Sequence, residues 1–345
     1  MQIVNVKCSR DYKVIVEKGI FRDLLKYANN KICIVTDENV YSLYGIKLKE
    51  KINYTKKDVL IFVVKPGETS KSGKIYLELL EYLANNRFTR SDTLVAFGGG
   101  VVGDLTGFVA STYLRGIEFI QVPTTVLAAT DSSVGGKTAI NLNSGKNLAG
   151  TFYQPKIVLI DPDFFLTLPK DIKRDGFAEI IKYGVINKPE LLNYLMDAED
   201  LDYERIIKTS LESKAELIEI DEYDKGSRML LNLGHTFGHG IEIASDYKCS
   251  HGESVAMGIN IVSKASMIKG ILKEDEYYKI KNILIKFGFD LQVKYDFSKL
   301  YEIMELDKKR SNGIINLIIP YKIGDTRIVE INMEELKEYL KTGLS

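Results

Sequence analysis

A chain of 345 residues with 45% hydrophobic content can bury a full core, at a length where cores usually split in two. Its 47 lysines and arginines equal its 47 aspartates and glutamates, which excludes the global field that gathers nucleic acid or an acidic membrane, so any anionic ligand must be met by a local cluster. No apolar run approaches the roughly 18 residues of a bilayer span, and Cys8, Cys33 and Cys249 are too scattered for a disulfide framework, so the expectation is a soluble, cytoplasmic protein with buried thiols.

The opening MQIVNVKCSRDYKVIVEKG alternates apolar and polar residues, the period of a strand and not the layout of a secretion signal. Up to residue 170, short β-rich runs alternate with helical stretches: KICIVTDENV, DVLIFVVKPGE, DTLVAFGGG, EFIQVPTT and KIVLIDP. Runs that are apolar almost throughout, separated by helices, imply a parallel sheet covered on both faces. Residues 1–170 are therefore expected to form a Rossmann-like, doubly wound α/β domain with its ligands at the C-terminal strand ends. From Asp171 the spacing turns helical, as in RIIKTSLESKAELIEIDEYD, so residues 171–345 are expected to form a mainly helical domain. Near its end, INLIIPYKIGDTRIVEI predicts two short strands around a Gly-Asp turn, followed by a helix opened by Asn332. No long polar linker is present, so the halves are expected to pack directly around a cleft.

The only three histidines, His235, His239 and His251, all fall between residues 235 and 251. In LNLGHTFGHGIE the first two are four apart and share a helix face, while the third, in CSHGESVAMG, begins another helix. Two helices that each present a histidine to one point are a usual way to hold zinc or iron, with a carboxylate as third ligand and a position left open; Cys249 is a rival ligand. In FGGGVVGDLTGF a Gly-rich turn follows an apolar strand and opens a helix, an arrangement suited to a phosphate-bearing ligand although it lacks the common G-x-G-x-x-G spacing. Residues 123–150 are dense in hydroxyls and glycines and carry Lys137 and Lys146, cations on a backbone that a phosphate can approach closely; a solvated loop is the plainer reading. Glu179 and Lys182 lie three apart on one predicted helix, a spacing that by itself describes a solvated face.

Taken in order, PGETSKS, GGGVVGDLTGFVASTYLRG, QVPTTVLAATDSSVGGKTAINLNSGKNLAG, TLP, AEIIKYG, LNLGHTFGHGIE, HGESVAMG and LDKKRSNG resemble the motif series of the 3-dehydroquinate synthase family, a sugar-phosphate cyclase family, from about residue 37 to residue 313. The resemblance implies catalytic NAD+ and a divalent metal, zinc with cobalt as a substitute. It implies Glu179, His235 and His251 as metal ligands. It implies NAD contacts from Asp37, Glu68, Lys71, Gly99, Gly100, Val101, Asp104, Thr124, Thr125, Asp131, Ser132, Lys146, Thr167 and Leu168. Substrate contacts are implied for Asp131, Lys137, Asn147, Lys182, Lys214, Arg228, Asn232, His239 and one of Lys308 or Lys309, with the chemistry carried by Lys137, Lys182, His239 and Glu179. Arg115 is implied to reach the substrate of a neighbouring subunit in a homodimer.

The reaction so implied converts 3-deoxy-D-arabino-heptulosonate 7-phosphate to 3-dehydroquinate and phosphate by transient oxidation, phosphate elimination, reduction, ring opening and aldol closure. The rival expectations are a cyclase of the 2-deoxy-scyllo-inosose or valiolone type, an iron-dependent alcohol or glycerol dehydrogenase, and a nucleotide-sensing binding protein, which would have no reason to keep the metal cluster. Arg228, Lys214, Asn232 and the Lys308–Lys309 pair suit a carboxylate-bearing substrate, which sets the first expectation above the other cyclases.

Overall fold

The computed structural model describes residues 1–29, 31–308 and 313–345. They form two compact units, residues 1–169 with 203–222 and residues 170–202 with 223–345.

In the first unit the chain runs through β1 (Gln2–Val6), β2 (Tyr12–Val16), α1 (Leu24–Tyr27), β3 (Lys31–Asp37), α2 (Glu38–Asn53), β4 (Asp58–Val64), α3 (Gly73–Asn85), β5 (Thr93–Gly98), α4 (Gly100–Thr112), β6 (Glu118–Pro123), β7 (Lys137–Leu142), β8 (Gly145–Phe152) and β9 (Ile157–Ile160). Seven of these strands make one sheet in the order β1-β2-β9-β6-β5-β3-β4. Every neighbour pair is parallel except the edge hairpin β1–β2. The uninterrupted apolar runs become the central strands because both faces are covered, and all six residues of β5 are buried. Leu79 and Leu83 of α3 and Leu105 and Val109 of α4 pack over Cys33, Val35, Leu94 and Ala96, a core in which each fully buried Leu or Val contributes about 1.5–3 kcal/mol. β7 and β8 form a separate antiparallel pair from the polar stretch that could also be read as a solvated loop.

The second unit begins with α5 (Lys170–Ile186) and α6 (Pro189–Asp197). The chain then returns to the first unit as α7 (Tyr203–Ile220), which corrects the expectation that everything beyond residue 170 belongs to one helical domain. The helical period of α7 is plain in the sequence, but its apolar stripe, with Ile206, Ile207 and Leu211 fully buried, lies against β1 and β2 of the sheet. Periodicity reveals that a stripe is buried and not what buries it. The second unit resumes with α8 (His235–Ala244), α9 (His251–Ile268), α10 (Glu274–Lys286) and α11 (Phe297–Lys308), followed by the antiparallel pair β10 (Ile315–Lys322) and β11 (Asp325–Ile331) and by α12 (Met333–Leu344). Asn332 caps α12 in a reciprocal box with Glu335. No helix of the described residues is long and apolar enough to cross a membrane.

Candidate active site

Three helices of the second unit bring Glu179, His235 and His251 together, with one donor atom from each within 4.8 Å of the others. Glu179 lies in the buried middle of α5, His235 opens α8 after Gly234 in a left-handed turn (φ 81°), and His251 opens α9 after its cap Ser250. A Cβ on Gly258 would stand 2.0 Å from the Gly234 carbonyl oxygen, so only glycine lets α9 approach the start of α8 this closely. The Oε1 atom of Glu179 is 3.0 Å from His251 Nε2 and 3.6 Å from His235 Nε2. His235 Nδ1 is 3.2 Å from the Leu233 carbonyl, which can only accept, so Nδ1 carries the proton and Nε2 keeps its lone pair toward Glu179.

Burial, only partly offset by the Glu179 charge, pushes His235 down to about 3, so the ring is neutral and able to ligate at physiological pH. For His251 burial acts downward too, but the hydrogen bond and charge of Glu179 outweigh it and hold the group above its ordinary value. Two imidazoles and a carboxylate on separate helices suit a zinc-type cation with a position left for substrate. Cys249, the rival ligand, is not part of this cluster; its thiol lies 3.8 Å from Glu253 Oε2.

Lys182 pairs with Glu179 one turn along α5, and both are buried, so the spacing that suggested a solvated face marks an internal ion pair. The His239 ring centroid is 5.4 Å from that of His235, and the side chain is exposed. Arg228 is buried in the 3-10 turn Ser227–Asn232, and Asn232 is exposed at its end. Lys308 is the last residue of α11, and Lys309 lies outside the described residues.

In the first unit, Gly99 caps α4 and Gly100 and Val101 form its first turn, so their N–H groups and the positive helix end face an anion approaching the strand end. A Cβ on Gly100 would meet Ser132 Oγ at 2.9 Å, and one on Gly99 would meet Thr125 at 3.4 Å, so this turn and the segment after β6 form one cradle. The Thr124 N–H donates to the Gly98 carbonyl at 3.0 Å. Lys71 pairs with Asp104 and also donates to Asn147 Oδ1. Burial raises Asp104 against the opposing pull of Lys71. Asp131 sits in a π-helical turn, Ala128–Ser132, where its carbonyl and Oδ1 each accept from Lys214 of α7 at 2.7 Å.

Lys137 and Asn147 line a cavity of about 340 Å³ on the β7–β8 pair, with Asp104 at its edge, while Lys146 is exposed beside Asn147. Glu68 accepts from Asn141 Nδ2 at 2.8 Å, and the Asp37 carboxylate caps α2 through the N–H groups of Asn39 and Val40. Thr167 shares a hydrogen bond of 2.6 Å with Tyr44, both lining a cavity of about 730 Å³, and half-buried Leu168 follows it. Arg115 is exposed on the turn after α4 (φ 68°). Sequence reasoning missed Asp175, Ser250 and Glu253, which surround the start of α9; the S-x-x-E spacing of a capping box at 250–253 was the available signal.

Models of the N-terminal and C-terminal parts of 3-dehydroquinate synthase match residues 61–175 and 176–310. The 3-dehydroquinate synthase of Clostridium acetobutylicum is 44% identical, covering 96% of this chain and 96% of that protein. The structure of a 2-deoxy-scyllo-inosose synthase in complex with carbaglucose-6-phosphate, NAD+ and Co2+ has a TM-score of 0.88 at 24% identity, covering 99% of this chain and 100% of its own. That of the 2-epi-5-epi-valiolone synthase of Streptomyces hygroscopicus subsp. jinggangensis, with NAD+ and Zn2+ bound, also has a TM-score of 0.88 at 24% identity, covering 99% and 98%. These two structures share the fold, α/β sheet unit and helical unit alike. Matched by both family models in tandem and at this identity over almost its whole length, the chain belongs to the 3-dehydroquinate synthase family.

Proposed function

We propose that the protein is a carbocycle-forming lyase that converts 3-deoxy-D-arabino-heptulosonate 7-phosphate to 3-dehydroquinate and phosphate. The observation that carries this reading is the convergence of Glu179, His235 and His251 in a chain 44% identical to a 3-dehydroquinate synthase. Those three residues would hold the divalent cation, zinc or cobalt, and the cradle of Gly99, Gly100, Val101, Thr124, Thr125 and Ser132 would hold the pyrophosphate of NAD+. Together the two groups supply reversible oxidation of one substrate hydroxyl, by hydride acceptance and Lewis-acid polarisation.

The residues of the chain then act on charge and position. The ketone so formed acidifies the neighbouring carbon, and phosphate departs by elimination. Lys137, Asn147, Lys182 and His239 are the donors proposed for the departing phosphate. Lys214 and Arg228 supply cationic donors suited to the substrate carboxylate, and Asp131, already held by Lys214, accepts from a hydroxyl. The substrate's own phosphate can take the proton, so the protein's contribution is orientation and electrostatics. A homodimer and a cytoplasmic location belong to the same reading, supported by exposed Arg115 and by three cysteines that form no disulfide.

The deciding test incubates purified protein with the heptulosonate phosphate, NAD+ and zinc, and follows phosphate and 3-dehydroquinate together. Equal release of both is expected. Phosphate release from a sugar phosphate lacking the carboxylate, with none from the heptulosonate, would assign the chain to another cyclase reaction.

A further inference from the structure

His251 is the first residue of α9, and a ligand at the first position of a helix is only as fixed as that helix end. Four side chains outside the ligand set hold this one. Ser250 Oγ donates to Asp175 Oδ1 at 2.7 Å and accepts from the Glu253 N–H at 3.2 Å, while the Ser250 N–H donates to Glu253 Oε2 at 3.2 Å. Arg174 pairs with the same Glu253 carboxylate. Asp175 is four residues before Glu179, so the acceptor of the Ser250 hydroxyl and the carboxylate among the ligands lie one turn apart on one face of α5. A Cβ on Gly252 would stand 2.5 Å from the Asp175 Cα and carbonyl oxygen, so the two backbones touch at this point. Capping alone would ask for the Ser250–Glu253 box; it does not ask for a carboxylate from another helix on the capping hydroxyl.

Resting on the metal reading above, we propose that Ser250 and Asp175 form a positioning clamp that fixes the first turn of α9 on α5, and thereby sets where His251 stands relative to Glu179. The two are positioning residues and not ligands. Outer groups that orient metal ligands typically change metal affinity by about 10- to 100-fold when removed.

The test uses the full chain and zinc itself, titrated against a competing chelator, with the cobalt absorption spectrum as a second readout. Ser250→Ala and Asp175→Ala, each of which removes the hydroxyl–carboxylate bond, are expected to weaken zinc binding by about 10- to 100-fold and to alter the cobalt spectrum. Ser250→Thr, which keeps the hydroxyl, is expected to restore both. Asn332→Ala, which removes the equivalent capping box of α12, is the control for a cap lost elsewhere in the same unit and is expected to leave zinc affinity unchanged. Wild-type zinc affinity and an unchanged cobalt spectrum in Ser250→Ala would overturn the clamp alone. So would a loss in Asn332→Ala as large as that in Ser250→Ala, since it would reduce the effect to helix stability. A wild-type chain that retains no zinc would overturn the metal reading and the clamp with it.

Discussion

The Lys182 ammonium is paired with the Glu179 carboxylate three residues before it on α5, and the two side chains are 2% and 0% exposed. The one acidic member of the candidate metal cluster is therefore already neutralised by a cation of its own helix.

Glu179→Ala would remove a ligand and leave the Lys182 charge buried alone, and breaking a buried pair in this way costs about 3–5 kcal/mol. Urea denaturation should show a loss of that order, together with loss of bound zinc. Adding Lys182→Met should recover much of the stability and none of the zinc. Full zinc content in Glu179→Ala would take Glu179 out of the ligand set.

Exhaustive chelation should abolish phosphate release, and zinc or cobalt added back at one equivalent should restore it, because a cation held by these three donors would keep a position for substrate. Undiminished turnover in protein shown by elemental analysis to be metal-free would contradict this.

Protein stripped of nucleotide should be inactive until NAD+ is returned, yet NADH absorbance should not accumulate over many turnovers, since oxidation and reduction cancel within each one. Stoichiometric NADH accumulation would point to a dehydrogenase.

Replacing Arg228 with Lys keeps the charge and loses the planar fork that can take both oxygens of a carboxylate. Loss of a charge-assisted bond of about 1.5–3 kcal/mol corresponds to a fall of about 10- to 150-fold in kcat/KM, with zinc content unchanged. Loss of zinc or unfolding in the variant would make Arg228 a structural residue of its turn, and a normal kcat/KM with zinc retained would take it out of substrate binding.

Burial leaves the Cys33 thiol no exposed surface and pushes it up to about 12, so at pH 8 it stays protonated in the folded protein and labels only when the chain unfolds. Mass spectrometry after iodoacetamide treatment should find Cys33 unmodified in native protein and modified in urea. Equal labelling in both would show that β3 opens readily.

The strands were legible because a parallel sheet covered on both faces turns each central strand into an uninterrupted apolar word, such as ICIV in β3 or LVAF in β5. The β7–β8 pair was not legible, because it mixes polar, glycine and apolar residues without a clean alternation and its burial is uneven. The candidate metal cluster was suggested by the clustering of histidines, whereas which carboxylate lies beside them depends on how α5 lies against α9, which spacing does not encode. Lys71 and Asp104 are 33 residues apart in sequence, so their ion pair could be seen only after folding.

The return of α7 to the sheet makes the chain pass between its two units at three places, near residues 170, 203 and 222. A nascent chain released at residue 170 would hold every strand of the large sheet, yet the apolar stripe of Ile206, Ile207 and Leu211 that lies on β1 would not have been made. The first unit therefore closes only after α5 and α6, the opening of the second, have left the ribosome. Lys214 arrives on that same late helix, so Asp131 gains its ammonium partner when α7 docks on the finished sheet.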